Sequence, residues 1–206
     1  MPPKGSRKSE RAKYIPAEEV SLLLTAPREA GALRDHYFLS TLFYCGLRIG
    51  ECVILRPEHF DLAHDCMQIP TLKKRTKDAQ GNKIKVIPLK EIPVFPEAKP
   101  LLQAVKDWAG NREWVFPGQA AGKHLTTRTG ENIFARWTAA LKLDKAYTPH
   151  SLRHTACSMI AEMTKDPILV RDFARHGNVS TTNVYLHRSL KRWNIAKGSL
   201  DLEAQR

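Results

Sequence analysis

Four short segments of this chain gather residue types that can act on an anion. They are CGLRIGE around Arg48, TLKKR around Lys73, TPHSLRHT around His150 and Arg153, and ARHGNVSTTNVYLH around His176 and Tyr185. A guanidinium presents a planar fork of donors that matches the oxygens of a phosphate or carboxylate, which the point charge of a lysine cannot reproduce. An imidazole titrates near neutral pH and can move a proton. A tyrosine hydroxyl, with an ordinary pKa of about 10, attacks near neutral pH only where positive charge or a base assists it. Taken singly, each segment is ordinary. An arginine beside a glycine usually lies on a surface, paired lysines on a turn are solvated, and most tyrosines pack or cap. His150 and His154 have the spacing of two zinc ligands on a helix, but Ser151 and Leu152 stand where that pattern needs a glutamate base.

The composition suits an anionic partner. Thirty-three Lys and Arg against 21 Asp and Glu give a formal net charge of +12 over 206 residues. A surplus of that size points to a polyanion, with nucleic acid first among them. A hydrophobic fraction of 42% supports one well-buried core rather than two full domains. Charges interrupt every apolar run before the ~20 residues a membrane span needs, and no signal-peptide pattern opens the sequence. The expectation is a cytoplasmic protein with no membrane partner. Cys45, Cys52, Cys66 and Cys157 contain no CxxC pair, which argues against a zinc ribbon, and neither a metal nor another cofactor is expected.

The elements that must position these residues are mostly helical. Residues 1–13 are basic and proline-containing and read as a flexible tail that can contact phosphates. Pro16 with Glu18 and Glu19 marks a helix start. A second helix is expected over Ala32–Cys45, with Leu33, Tyr37, Leu39 and Leu42 as its apolar face and Gly46 as its stop. A short third helix runs from about Ile49 to Leu55, ahead of Pro57. Between Cys66 and Leu89 two β-prone runs flank a polar stretch with Gly81-Asn82, which predicts a β-hairpin with a long basic tip. Further helices are expected over Glu97–Trp108 and Gly130–Leu141, after Thr148-Pro149, and from Asp166-Pro167 to a stop at Gly177. A short helix capped by Ser180 would carry Tyr185. The fold class is therefore mainly α with a small antiparallel sheet, an α+β arrangement.

In this order, Arg, then Lys on a hairpin, then HxxR opening a helix, then His, then Tyr nine residues later, the segments resemble the tyrosine recombinase, or phage integrase, family. GLRIGE resembles its first arginine motif, TPHSLRHT its second box, and HGNVSTTNVYLH its final box. The resemblance covers Tyr14–His187 and implies a tyrosine recombinase catalytic domain over 14–187, with 188–206 as a C-terminal segment that docks in cis or in trans. It implies Tyr185 as nucleophile, Arg48 and Arg153 as the phosphate clamp, His150 in proton transfer and His176 as a further phosphate contact. Lys73 is the match for the lysine that protonates the leaving 5′-oxygen, with adjacent Lys74 the alternative. Glu51 matches an acidic position that orients the site or is a plain helix-surface residue. Lys74, Arg75 and Arg175 are expected at the DNA, Arg175 either on a phosphate or as an exposed helix-end cation.

The implied activity is site-specific recombination of double-stranded DNA through a 3′-phosphotyrosyl intermediate, carried out by a homo-tetramer with neither ATP nor metal. The alternatives are a type IB topoisomerase-like relaxing enzyme and a non-catalytic DNA-binding regulator on the same fold. Two departures from the family pattern stand out. The usual core-binding domain ahead of the catalytic one is not seen, so the basic tail or an accessory DNA-binding protein would complete the DNA clamp. Ala174-Arg175 also replaces the common Leu-Gly before His176.

Overall fold

The computed structural model describes residues 14–71 and 87–175. Pro16 caps α1 (Ala17–Glu29), and Glu18 and Glu19 occupy its first turn, where carboxylates complement the positive helix end. The chain turns at Gly31 into α2 (Leu33–Tyr44). Leu39 and Leu42 are buried as expected, together with Phe38 and Phe43, but Leu33 is 39% exposed. The reason is architectural. α2 is the central helix, packed by α1, by α3 (Ile49–Val53), by α4 (Lys99–Ala109), by α5 (Thr127–Ala140) and by α6 (Pro149–Thr164). From Phe38 to Phe43 it is enclosed on every side, so no single stripe describes it.

A three-stranded antiparallel sheet, ordered β1 (Phe60–Asp61), β2 (Cys66–Pro70), β3 (Leu89–Pro93), stands beside the helices. Cys66 pairs with Pro93 and Pro70 with Leu89, so the connection between β2 and β3 is long. The short β1 was not foreseen, since two residues carry no alternation to read. The expected helix at Gly130 begins earlier, at Thr127, where the Thr126 hydroxyl accepts from the Thr129 amide. Gly130 lies inside α5 because of packing. A Cβ there would meet Phe38 at 2.6 Å and Ile49 at 3.0 Å.

Two caps follow their sequence signals. Thr148 and Ser151 bond reciprocally at the start of α6, and Asp166 accepts from the amides of Ile168 and Leu169 at the start of α7 (Pro167–Ala174). The expected stop at Gly177 is corrected: α7 ends at Ala174, and Arg175 takes the left-handed conformation with φ 52°.

Gly46 performs the equivalent turn after α2, with φ 50°. An added Cβ would lie 2.4 Å from Cε1 of Phe173 on α7. Gly46→Ala is therefore expected to cost about 2–4 kcal/mol from left-handed strain and overpacking, lowering Tm by on the order of 10 °C. A shift under about 2 °C would show that the Phe173 ring yields freely. Among the described residues no helix is long and apolar enough to cross a membrane.

Candidate active site

Glu51 organises the site. It is the third residue of α3, so its carboxylate reaches back over the helix start: Oε2 accepts from the Arg48 amide at 2.8 Å and Oε1 from Arg48 Nη1 at 2.7 Å. The side chain is 2% exposed, so Glu51 is not a helix-surface residue. Its Oε2 also accepts from Arg175 Nη2 at 2.7 Å and lies 3.8 Å from Arg153 Nη1. Arginines from three separate segments thus meet at one carboxylate.

Arg153 enters from the second turn of α6 and is 1% exposed. Its Nη1 donates to the Gly46 carbonyl and its Nη2 to the Ala174 carbonyl, tying α6 to the α2–α3 turn and to the end of α7. Arg48 is 25% exposed and, of these three guanidiniums, reaches solvent furthest. His150, one turn before Arg153 near the start of α6, is exposed.

Arg175 corrects the expectation of an exposed helix-end cation. Its side chain is wholly buried, and it donates to the carbonyls of Gly46 (2.9 Å), Phe173 (2.7 Å) and Cys45 (3.3 Å) as well as to Glu51. The left-handed turn at the end of α7 folds this side chain inward instead of outward. Neither Arg175 as an internal partner nor the Gly46 carbonyl as a shared acceptor was anticipated. The available signal was the departure from Leu-Gly at Ala174-Arg175.

The electrostatics favour an added anion. Three guanidiniums against one carboxylate leave two positive charges in the cluster. Burial pushes the Glu51 carboxyl upward, but the Arg175 charge, the Arg48 amide and the Arg175 hydrogen bond outweigh it and hold the pKa below the ordinary range. Burial brings Arg153 down to about 10, and the like charges of Arg175 and Arg48 act the same way, so it stays protonated at neutral pH. Burial also raises the thiols of Cys45, to about 12, and of Cys157, which keeps both uncharged beside the cluster.

A depressed carboxyl pKa stabilises the fold above the unfolded value of about 4.3, and that stabilisation is lost as pH falls through the folded value. Glu51→Gln is expected to be less stable at neutral pH, because Arg175 loses its buried counter-charge. Its stability should then fall less steeply than that of the wild type in acid. Parallel acid-unfolding profiles would contradict this.

Lys73, Lys74, Arg75, His176 and Tyr185 lie outside the described residues, as do the tail 1–13 and the segment 188–206. Of the expected site, Arg48, Glu51 and Arg153 are brought together, with His150 one helical turn from Arg153.

This combination of a helical fold with an arginine cluster at the junction of α3, α6 and α7 has a family. The phage integrase family model matches residues 13–192, and the chain belongs to that family. Among curated relatives, it is 27% identical over 198 residues to tyrosine recombinase XerC of Proteus mirabilis, covering 90% of this chain and 59% of the relative. It is 28% identical over 196 residues to XerC of Alcanivorax borkumensis, covering 90% and 58%. The chain thus spans rather less than two thirds of these relatives' length. Its fold is similar to the crystal structure of XerA recombinase, with a TM-score of 0.69 and 20% identity over 93% of this chain and 63% of the other. The Tn1549 transposon integrase, solved in complex with circular intermediate DNA, gives 0.68 at 22% identity over 86% and 63%. A lambda integrase dimer bound to a core site gives 0.67 at 16% identity over 95% and 53%.

Proposed function

We propose that the protein is a tyrosine-type site-specific DNA recombinase. The observation that carries this reading is the convergence of Arg48 and Arg153, from opposite halves of the chain, on one buried carboxylate. Two guanidiniums held that close, with a surplus of positive charge, suit the non-bridging oxygens of a phosphodiester and the charge that gathers on them in the transition state. The charge of +12 and the DNA-bound state of similar integrase structures support double-stranded DNA as the substrate.

In this mechanism Tyr185 attacks the phosphorus, forming a 3′-phosphotyrosyl bond as the bond to the 5′-oxygen breaks. Lys73, or Lys74 beside it, protonates that leaving oxygen, and His150 assists in moving the tyrosine proton. His176 adds a hydrogen bond to the phosphate. The 5′-hydroxyl of a second duplex then attacks the phosphotyrosyl bond and releases Tyr185. Each step exchanges one phosphodiester for another, so the bond energy is retained. Arg153 engages phosphate by exchanging the Ala174 carbonyl for a phosphate oxygen, which links its availability to the position of the end of α7.

The functional assembly on this reading is a homo-tetramer on two duplexes in the cytoplasm, with an accessory DNA-binding protein as a further partner. The apolar groove lined by Phe43, Phe95, Met159, Ile160 and Met163 would receive Leu190, Trp193, Ile195 and Leu200 of the C-terminal segment, from the same chain or a neighbour.

A supercoiled plasmid carrying two copies of the DNA that flanks the gene tests the reading. Recombinant circles are expected. Relaxed topoisomers without recombinants would move the function to a type IB topoisomerase, and binding without cleavage would move it to a regulator. Lys73→Ala is expected to lose strand cleavage and to regain it on a duplex with a bridging 5′-thiolate leaving group. Rescue of Lys74→Ala alone would transfer the role to Lys74.

A further inference from the structure

We propose that Arg175 is a positioning residue for the phosphate clamp, supplying the third charge that frees Arg48 and Arg153 for the DNA phosphate. The inference rests on the reading of those two arginines as phosphate-binding groups.

Arg175 stands in an unfavourable place for its type. A non-glycine residue with φ 52° is uncommon, and a wholly buried guanidinium must recover its lost hydration from fixed partners. It does so with four acceptors: the carbonyls of Cys45, Gly46 and Phe173, and the carboxylate of Glu51. Its Nε has no partner among the described residues. For filling space alone, an apolar side chain would serve without these costs.

What distinguishes Arg175 is which acceptors it shares. Glu51 is the carboxylate that holds Arg48 by both its amide and its Nη1, and Arg175 occupies the oxygen nearer Arg153. The Gly46 carbonyl that takes Arg175 Nη2 is the same one that takes Arg153 Nη1. One buried side chain thus contacts the partner of each clamp arginine. Without it, the single negative charge of Glu51 would be spent on Arg48 and Arg153. With it, Oε2 of Glu51 is matched by Arg175 while Oε1 holds Arg48 in place, and the cluster keeps two net positive charges for the phosphate. The neighbouring thiols of Cys45 and Cys157 add no competing anion. The geometry also places this coupling at the residue immediately before His176, so it joins the first arginine segment to the start of the last one.

The test compares wild type, Arg175→Lys, Arg175→Gln and Arg175→Ala in single-turnover covalent adduct formation on a suicide duplex. DNA affinity and melting are measured alongside. Arg175→Ala is expected to react about tenfold or more slowly at saturating DNA, with its Kd little changed. Arg175→Lys, which keeps the charge, should be faster than Arg175→Gln, which keeps only neutral donors. The Glu51 carboxyl, followed by carbon NMR, should titrate at higher pH in the glutamine variant than in wild type. If Arg175→Ala does not fold, the Lys and Gln variants decide. Rates in Arg175→Gln equal to or above those in Arg175→Lys, or an alanine variant as fast as wild type, would overturn the inference while leaving the recombinase reading intact. Wild type that forms no adducts overturns the recombinase reading itself, and this inference with it.

Discussion

Tyr185→Phe is expected to abolish covalent protein–DNA adducts, lowering the cleavage rate by roughly 10⁴-fold or more, while DNA binding is largely preserved. The change removes one oxygen and keeps the ring. Binding to a duplex is dominated by contacts between cations and phosphates, and none of the chain's surplus of positive charge depends on the tyrosine hydroxyl. In the proposed mechanism the chemistry depends on it wholly, because only the oxygen can form the ester that conserves the bond energy. Gel-shift titrations and denaturing-gel adduct assays on the same duplex separate the two effects. Adducts that persist in the variant would assign the nucleophile elsewhere.

Arg153→Lys is expected to lower cleavage by about 10²–10³-fold, although the charge is kept. The guanidinium of Arg153 spans two carbonyl oxygens on different segments, Gly46 before α3 and Ala174 at the end of α7. An ammonium cannot reproduce that fork. Losing one charge-assisted hydrogen bond in a buried place costs about 1.5–3 kcal/mol, so a lower melting temperature accompanies the loss of rate. The two effects part at low temperature, where the variant is folded and still slow. Near-normal cleavage by folded Arg153→Lys would remove Arg153 from the clamp.

Local signals were legible in the sequence wherever one residue type satisfied one backbone need. Thr148-Pro149 and Asp166-Pro167 mark helix starts because a side-chain oxygen accepts from the first free amides and proline fits the first turn. Signals that depend on a distant partner were not legible. Gly130 reads as a helix boundary, but it is interior because Phe38 and Ile49 lie against it. Leu33 reads as part of a core stripe, yet α2 is surrounded and its first residue is left outside. Arg175 is the sharpest instance. A cation after an apolar helix looks exposed, and only the left-handed turn and the buried Glu51 draw it inward. For the candidate site, ordered motifs pointed to Arg48, Glu51 and Arg153, which the fold brings together. The hydrogen-bond acceptors that hold Arg153, the carbonyls of Gly46 and Ala174, belong to the backbone and leave no mark in a sequence.

The central claim is that Arg48 and Arg153 grip a DNA phosphate for attack by Tyr185, leaving the protein on the 3′ side of the break. Its most direct measurement is to trap the protein on a nicked suicide duplex drawn from the DNA flanking the gene. The adduct is then digested, the peptide that carries the nucleotide is sequenced by mass spectrometry, and the free DNA end is identified. The expected result is a phosphodiester from Tyr185 to a 3′-phosphate with a free 5′-hydroxyl. A nucleotide on any other residue, or a 5′-phosphate link with a free 3′-hydroxyl, would contradict it.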